Sequence, residues 1–216
     1  MGESFSNAAG LTVVERLIAI IHENREYLSE IDGKIGDGDH GINMDKGFQL
    51  TATRLEAGMS MSEGLRILGR TLLLEIGGSM GPLYGQFFKA MAKVSKDAEE
   101  IDAPVCAAMI EAAYEAIQEL GDAKPGDKTL VDTLDPAVTA MRGAVEQGAS
   151  LHDALDTMVS AAETGWQSTE DMVAKIGRSS RLGERSRGVL DAGATSCYLM
   201  LKGFAETAQE LAGGAA

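Results

Sequence analysis

Apolar side chains recur along this chain at the three-to-four-residue interval of helices that turn one face to a core. Val14, Leu17, Ile18, Ile21 and Leu28 share such a face, which predicts a helix over residues 11–30. A short helix is expected over 41–57. Ser60 and Glu63 have the spacing of a capping box and open a helix carrying Leu65, Leu68, Leu72 and Leu73. Another apolar stretch runs from Leu83 to Val94. Asp102 and Pro104 read as a helix start ahead of Val105, Met109, Ala113 and Ile117. The stretch from Leu130 to Val145 reads as helix despite Pro136. Ser150 with Asp153 opens the next, with Leu151, Leu155, Met158 and Val159, and Ala194 to Leu211 forms the last. No stretch alternates with the period of a strand. The expectation is therefore an all-α chain of about eight amphipathic helices in one domain over 1–216. Residues 1–9 and 213–216 are expected to be flexible.

Composition supports a globular fold and narrows the partners. Hydrophobic residues make up 44% and charged residues 24%, close to an ordinary soluble domain. Aromatic residues are only 5%, so Leu, Ile, Val, Ala and the 11 Met must build most of the core. The net charge of −14 repels phosphodiester backbones and anionic lipid. Nucleic acid and membranes are thus not expected partners, and an anionic ligand would need metal ions or backbone dipoles to hold it. Cys106 and Cys197 lie far apart in apolar stretches and read as buried free thiols. No apolar run approaches a membrane span, and the N-terminus lacks the pattern of a signal peptide. A cytoplasmic location is expected.

The glycines change the picture. There are 26 in 216 residues, against an average near 7%. The informative ones fall in four charged or polar segments at helix ends, at 33–41, 77–85, 121–127 and 183–193. Chemistry is therefore expected on loops held by a helical scaffold.

The first segment places Asp32, Asp37 and Asp39 within eight residues, among four glycines and beside His40. Carboxylates this close repel one another unless a cation joins them, and hard Mg²⁺ or Ca²⁺ takes such oxygen ligands. An EF-hand does not fit, because Gly41 stands at the third acidic position and no glutamate closes the loop. The bland alternative is a solvated acidic turn or a helix cap. The second segment, Gly77-Gly78-Ser79-Met80-Gly81, leaves one helix and enters another. It is either a tight turn or a phosphate cradle of backbone N–H groups at a helix N-terminus. The third, Gly121 to Leu130, offers Lys128 or its own backbone to a ligand, or is a plain connection. Asp132 and Asp135 just beyond read as solvated helix acids. The fourth gathers Arg178, Arg181, Arg185 and Arg187 in an acidic chain, as an anion site or lid or as a mobile surface loop. Asp191 reads as the cap of the last helix. His22 and His152 read as structural or exposed.

Taken in order, these motifs resemble the nucleotide-binding L subunits of bacterial dihydroxyacetone kinases. The resemblance rests on Asp32 to Asn43, the loop at 77–85, PGDKT at 125–129, and the run 177–188 leading to Asp191-Ala192-Gly193. It covers essentially the whole chain. It implies a closed barrel of about eight antiparallel helices, with a nucleotide among the loops at one end. Asp32, Asp37 and Asp39 then match ligands of two Mg²⁺ ions. His40, Gly41, Ile42 and Asn43 match a nucleotide-contacting stretch, and Gly78, Ser79 and Met80 a phosphate loop. Gly121 and Leu130 match positions near the adenine, and Arg178, Asp191, Ala192 and Gly193 further nucleotide contacts.

The resemblance also implies partners. In this family a separate K subunit holds dihydroxyacetone, and in phosphotransferase-linked members a phosphocarrier protein rephosphorylates ADP in place. In others ATP exchanges for ADP. A homodimer is left open. No covalent nucleophile is required of this chain, since phosphoryl transfer depends on positioning and charge neutralisation. Two departures stand out. Met80 occupies the place of a family serine, with the hydroxyl one residue earlier at Ser79, and Ala192 replaces a proline. They leave room for another short ketose as acceptor. They also leave room for a nucleotide-binding regulatory module without transfer, or for a helical metal-binding scaffold.

Overall fold

A computed structural model describes residues 3–214. Among them are nine α-helices and one small sheet. The helices are α1 (Leu11–Glu23), α2 (Arg25–Ile35), α3 (His40–Ala52), α4 (Met61–Glu75) and α5 (Met80–Ser95). They continue as α6 (Ala103–Leu120), α7 (Val131–Glu146), α8 (Leu151–Ser168) and α9 (Ala192–Gly213). Each helix from α3 onward packs on its neighbour in sequence, and α9 packs back on α1, so the ring closes. Neighbours run antiparallel. Gly85 of α5 faces Leu73 of α4 while Gly69 faces Lys89, and Gly165 of α8 faces Asp132 and Pro136 of α7. This is the closed helical barrel that the sequence motifs implied.

Local chemistry explains several helix starts. Ser60 and Glu63 form a reciprocal capping box at α4. Asp102 accepts from the Val105 amide at α6, and Ser150 from the Asp153 amide at α8. All three caps were legible from spacing. The interior is one contiguous cluster of aliphatic, methionine and phenylalanine side chains. No helix among the described residues is long and apolar enough to cross a membrane.

Four expectations are corrected. The helix expected over 11–30 is two, because Asn24 ends α1. Its amide and its side-chain Nδ2 both donate to the Ile20 carbonyl, so side chain and backbone use the same acceptor and the chain turns. Apolar spacing runs through the break and hides it. Next, a two-stranded sheet exists: β1 (Ser4–Ser6) pairs antiparallel with β2 (Glu100–Asp102), Phe5 opposite Ile101. Three-residue strands are too short to declare a period. Residues 4–9 are therefore fixed rather than flexible. Phe5 is buried, and Asn7 donates to the carbonyls of Ser95 (2.8 Å) and Ala98 (2.9 Å). Finally, α9 continues through Gly213 instead of fraying there. Residues 1, 2, 215 and 216 lie outside the described part of the chain.

Candidate functional site

Antiparallel alternation brings the α2–α3, α4–α5, α6–α7 and α8–α9 connections to the same end of the barrel. These are the four glycine-rich segments. Asp32 sits in the last turn of α2, and Asp39 immediately precedes α3. Two glycines permit the bend between them. A side chain at Gly36 would collide with the Asp32 carboxylate, and Gly38 takes a φ of +78°. As a result Asp32, Asp37 and Asp39 each present a carboxylate oxygen within 4.8 Å of the others. The donor set is all oxygen and triply anionic, which suits a hard divalent cation. The His40 amide at the start of α3 lies 3.4 Å from Asp32 Oδ2. Arg178, from the helical turns over Ser179–Ser186 and their cap, forms an ion pair with Asp37.

Behind the carboxylates lies a buried polar network. His40 Nε2 is 2.9 Å from Ser196 Oγ, which is 2.7 Å from the Tyr84 hydroxyl. Tyr84 also donates to the Gly193 carbonyl at 3.0 Å. One network thus joins the N-terminal turns of α3 and α9 to α5. Burial pushes the His40 imidazole down to about 4, so it is neutral near pH 7. Burial pushes the Tyr84 phenol well up, so it stays a protonated donor. The His40 side chain is therefore committed to the interior, and Gly41 is packed too closely against Arg25 and Ser29 to carry a side chain. Ile42 is 57% exposed and Asn43 half-buried on the same turn.

The third and fourth segments meet each other. Asp191 caps α9, its Oδ2 accepting from the Ala194 amide at 2.8 Å, and burial raises its carboxyl to about 6. Gly193 lies against Leu130. Asp132, expected in solvent, is only 4% exposed. It accepts from the amides of Gly126 (2.5 Å) and Thr129 (2.7 Å) and so ties down the loop before α7. Asp135 is not simply solvated either, because it accepts from the Tyr114 hydroxyl at 2.7 Å. Lys128, a candidate for meeting a ligand, instead turns inward and is 1% exposed.

Not every candidate converges. Among the described residues, no hydrogen bond or ion pair ties the side chain of Ser79, or Gly78 and Gly121, to the carboxylates. Gly78 takes a φ of +71°, and both glycines face open space. Met80 begins α5 and packs on the core. Sequence reasoning missed Tyr84 and Ser196. Tyr84 stands inside the 77–85 segment and Ser196 three residues beyond Gly193, but their partners are far away in sequence.

A helical barrel with converging carboxylates and glycine loops at one end is the class of protein that fold and site define. The model of the DAK2 domain family matches residues 34–206, and the chain belongs to that family. It is 39% identical over 193 residues to the ADP-binding subunit DhaL of the PEP-dependent dihydroxyacetone kinase of Escherichia coli K12, covering 88% of this chain and 92% of that protein. It is 35% identical over 208 residues to D-erythrulose kinase of Mycolicibacterium smegmatis, covering 92% of this chain but 36% of that protein. Its fold matches the dihydroxyacetone kinase of C. freundii crystallised with AMP-PNP and Mg²⁺, with a TM-score of 0.68 and 24% identity. That match covers 95% of this chain and 35% of the other.

Proposed function

We propose that this chain is the nucleotide-binding subunit of a kinase that phosphorylates dihydroxyacetone or a similar short ketose held on a separate K subunit. The observation that carries this reading is the convergence of Asp32, Asp37 and Asp39 at the glycine-loop end of the barrel. The relative named as an ADP-binding subunit, alike over nearly its whole length, supports it. Asp32, Asp37 and Asp39 would hold two Mg²⁺ ions, which supply charge neutralisation to the phosphates. The α3 N-terminal turn, His40 to Asn43, would meet the phosphates, with the amides of Gly41 and Ile42 as its donors, because helix-end dipoles favour anions. Gly78, Ser79 and Met80 line the opposite wall at the start of α5. Gly121 and Leu130 flank the base. Arg178 places a guanidinium at the phosphates, and Asp191, Ala192 and Gly193 shape the remaining edge through the α9 cap. No side chain here serves as a covalent nucleophile.

The phosphate source is either exchanging ATP or ADP rephosphorylated in place by a phosphocarrier protein. The site is expected to work in the cytoplasm. The relative acting on erythrulose keeps a four-carbon acceptor in view. Nucleotide content separates the sources. The purified protein is denatured and the supernatant resolved by anion exchange, with and without prior EDTA. Near-stoichiometric ADP that EDTA releases supports the metal-held nucleotide and in-place rephosphorylation. An empty protein that then binds Mg-ATP supports exchange, and one that binds neither Mg-ADP nor Mg-ATP refutes the proposal. Met80 in place of a hydroxyl favours one second reading, a regulatory module. Normal nucleotide binding without turnover on the cognate K subunit would establish it.

A further inference from the structure

Lys128 is the one non-glycine residue with a positive φ, +63°, among the described residues. The left-handed region is costly for a side chain with a Cβ and persists only where surrounding contacts hold it. Here the contacts are on the ammonium. Lys128 Nζ donates to the carbonyls of Thr169 (2.6 Å), Met172 (3.2 Å) and Val189 (2.5 Å). Thr169 and Met172 lie where the chain leaves α8, and Val189 lies where it returns to α9. The span between them, 173–188, carries Arg178 and three more arginines. A single buried ammonium therefore closes both ends of that span onto the loop before α7.

We infer that Lys128 is a positioning residue, the pin that holds the arginine-bearing segment 173–188 over the carboxylate cluster. The other side-chain fastenings of this segment are more exposed, Arg178 on Asp37 among them, and backbone bonds add to them, the Lys175 amide donating to the Asp127 carbonyl at 3.1 Å. Lys175 pairs with Asp127 at 3.2 Å on a side chain that is 61% exposed. Arg187 reaches the Asp171 carbonyl from an exposed side chain, and Gly188 donates to the Glu170 carbonyl at 2.8 Å. Water can replace an exposed partner, whereas removing an ammonium that is 1% exposed takes a donor from three carbonyls at once, two of them part-buried and the third, Thr169, keeping only the 3.3 Å bond from the Met172 amide. The Thr169 hydroxyl extends the same junction by accepting from the Asp191 amide at 3.1 Å, which couples the pin to the α9 cap. Burial opposes the Lys128 charge, while Asp191, Glu170 and Asp132 favour it from beyond ion-pair distance, so the ammonium is held by direct bonds to carbonyls. The geometry matches carbonyl ends to donors. Its consequence for ligand affinity rests on the nucleotide-binding reading, but the fastening itself does not.

The test uses the full chain and two variants. Lys128→Met keeps the bulk and removes the donors. Lys128→Gly removes the side chain and relaxes the backbone, so strain cannot prevent its folding. Both are digested with limiting trypsin without nucleotide, and cleavage sites are mapped by mass spectrometry. Cleavage between 173 and 188 should accelerate by about tenfold or more while the rest of the chain stays protected. The Kd for Mg-ADP should rise by about tenfold, through misplaced Arg178, and the Kd for Mn²⁺ without nucleotide should not rise but fall, by up to about fivefold, as Arg178 leaves Asp37. Unchanged cleavage in this segment in folded variants overturns the inference. So does general loss of helicity by circular dichroism in both, which would make Lys128 an ordinary core support. If the parent binds no Mg-ADP, the nucleotide reading fails, while the cleavage comparison still decides the role of Lys128.

Discussion

Arg178 and Asp37 form an ion pair across 141 positions of sequence, joining the arginine-rich segment to the carboxylate cluster. The guanidinium neutralises one of three converging charges. A cation arriving at the cluster competes with it, and a phosphate arriving with that cation offers it a new partner. Both side chains are partly exposed, so the pair contributes only about 0.2–1 kcal/mol. Replacing Arg178 with Gln should tighten Mn²⁺ binding without nucleotide by up to about fivefold, the same energy expressed as affinity. It should weaken Mg-ADP binding. Electron paramagnetic resonance titration of Mn²⁺ and calorimetry with Mg-ADP read the two effects. If both affinities change in the same direction, the assignment fails.

The three carboxylates repel one another when no cation is bound. Asp39→Asn should therefore leave the metal-free chain as stable as the parent or more stable, by roughly 0.2–1 kcal/mol, while Asp37→Asn, which also loses the pair with Arg178, should be close to neutral. Each should weaken Mn²⁺ and Mg-ADP binding together, on the order of tenfold or more. Urea denaturation with EDTA measures the first effect and calorimetry the second. A variant that binds Mg-ADP as tightly as the parent removes that carboxylate from the cluster.

Tyr84 donates into a network whose side chains, Ser196 and His40, are buried. Tyr84→Phe keeps the ring packed against Phe87 and Phe88 but removes one donor from the Gly193 carbonyl, which Ser196 Oγ still reaches at 3.1 Å, and one partner from Ser196, which keeps His40. A loss of about 0.5–1.5 kcal/mol is expected from the lost hydrogen bond, measured by urea denaturation. Nucleotide affinity should fall with it, because Gly193 and His40 both lie on the site. Unchanged stability would mean that the network rearranges freely.

Glu63 accepts hydrogen bonds from the Ser60 amide (2.8 Å) and hydroxyl (2.9 Å). The Ser60 backbone bond first, and the hydroxyl bond second, hold its carboxyl below the ordinary value. A lowered carboxyl stabilises the folded state at pH above the unfolded value near 4.3. That stability disappears as pH falls through the folded value. Glu63→Gln should thus lower Tm at pH 7 and match the parent at pH 3. An equal difference at both values would show that charge contributes nothing to this cap.

Much of this was legible in advance because it is local. The caps at Ser60, Asp102 and Ser150 depend on contacts three residues away, and Asp32, Asp37 and Asp39 are neighbours along the chain. What escaped depends on partners remote in sequence. Asp132 and Lys128 carry the charge of solvated residues, yet both are buried by backbone groups that only the assembled barrel delivers. His40 stands beside two acids and still turns its imidazole away, to a serine on α9.

By itself the sequence determined the helical class, the approximate helix boundaries, the glycine-rich loops and the acidic cluster. These follow from periodicity and short-range hydrogen bonding, which act before distant segments meet. The tertiary structure decided that the loops share one end, that Asn24 breaks a helix which apolar spacing carries straight through, and that β1 finds β2. It also decided which charged groups face ligand and which are consumed in holding the site together. Ring closure of α9 on α1 brings those groups into register, and no local pattern encodes it.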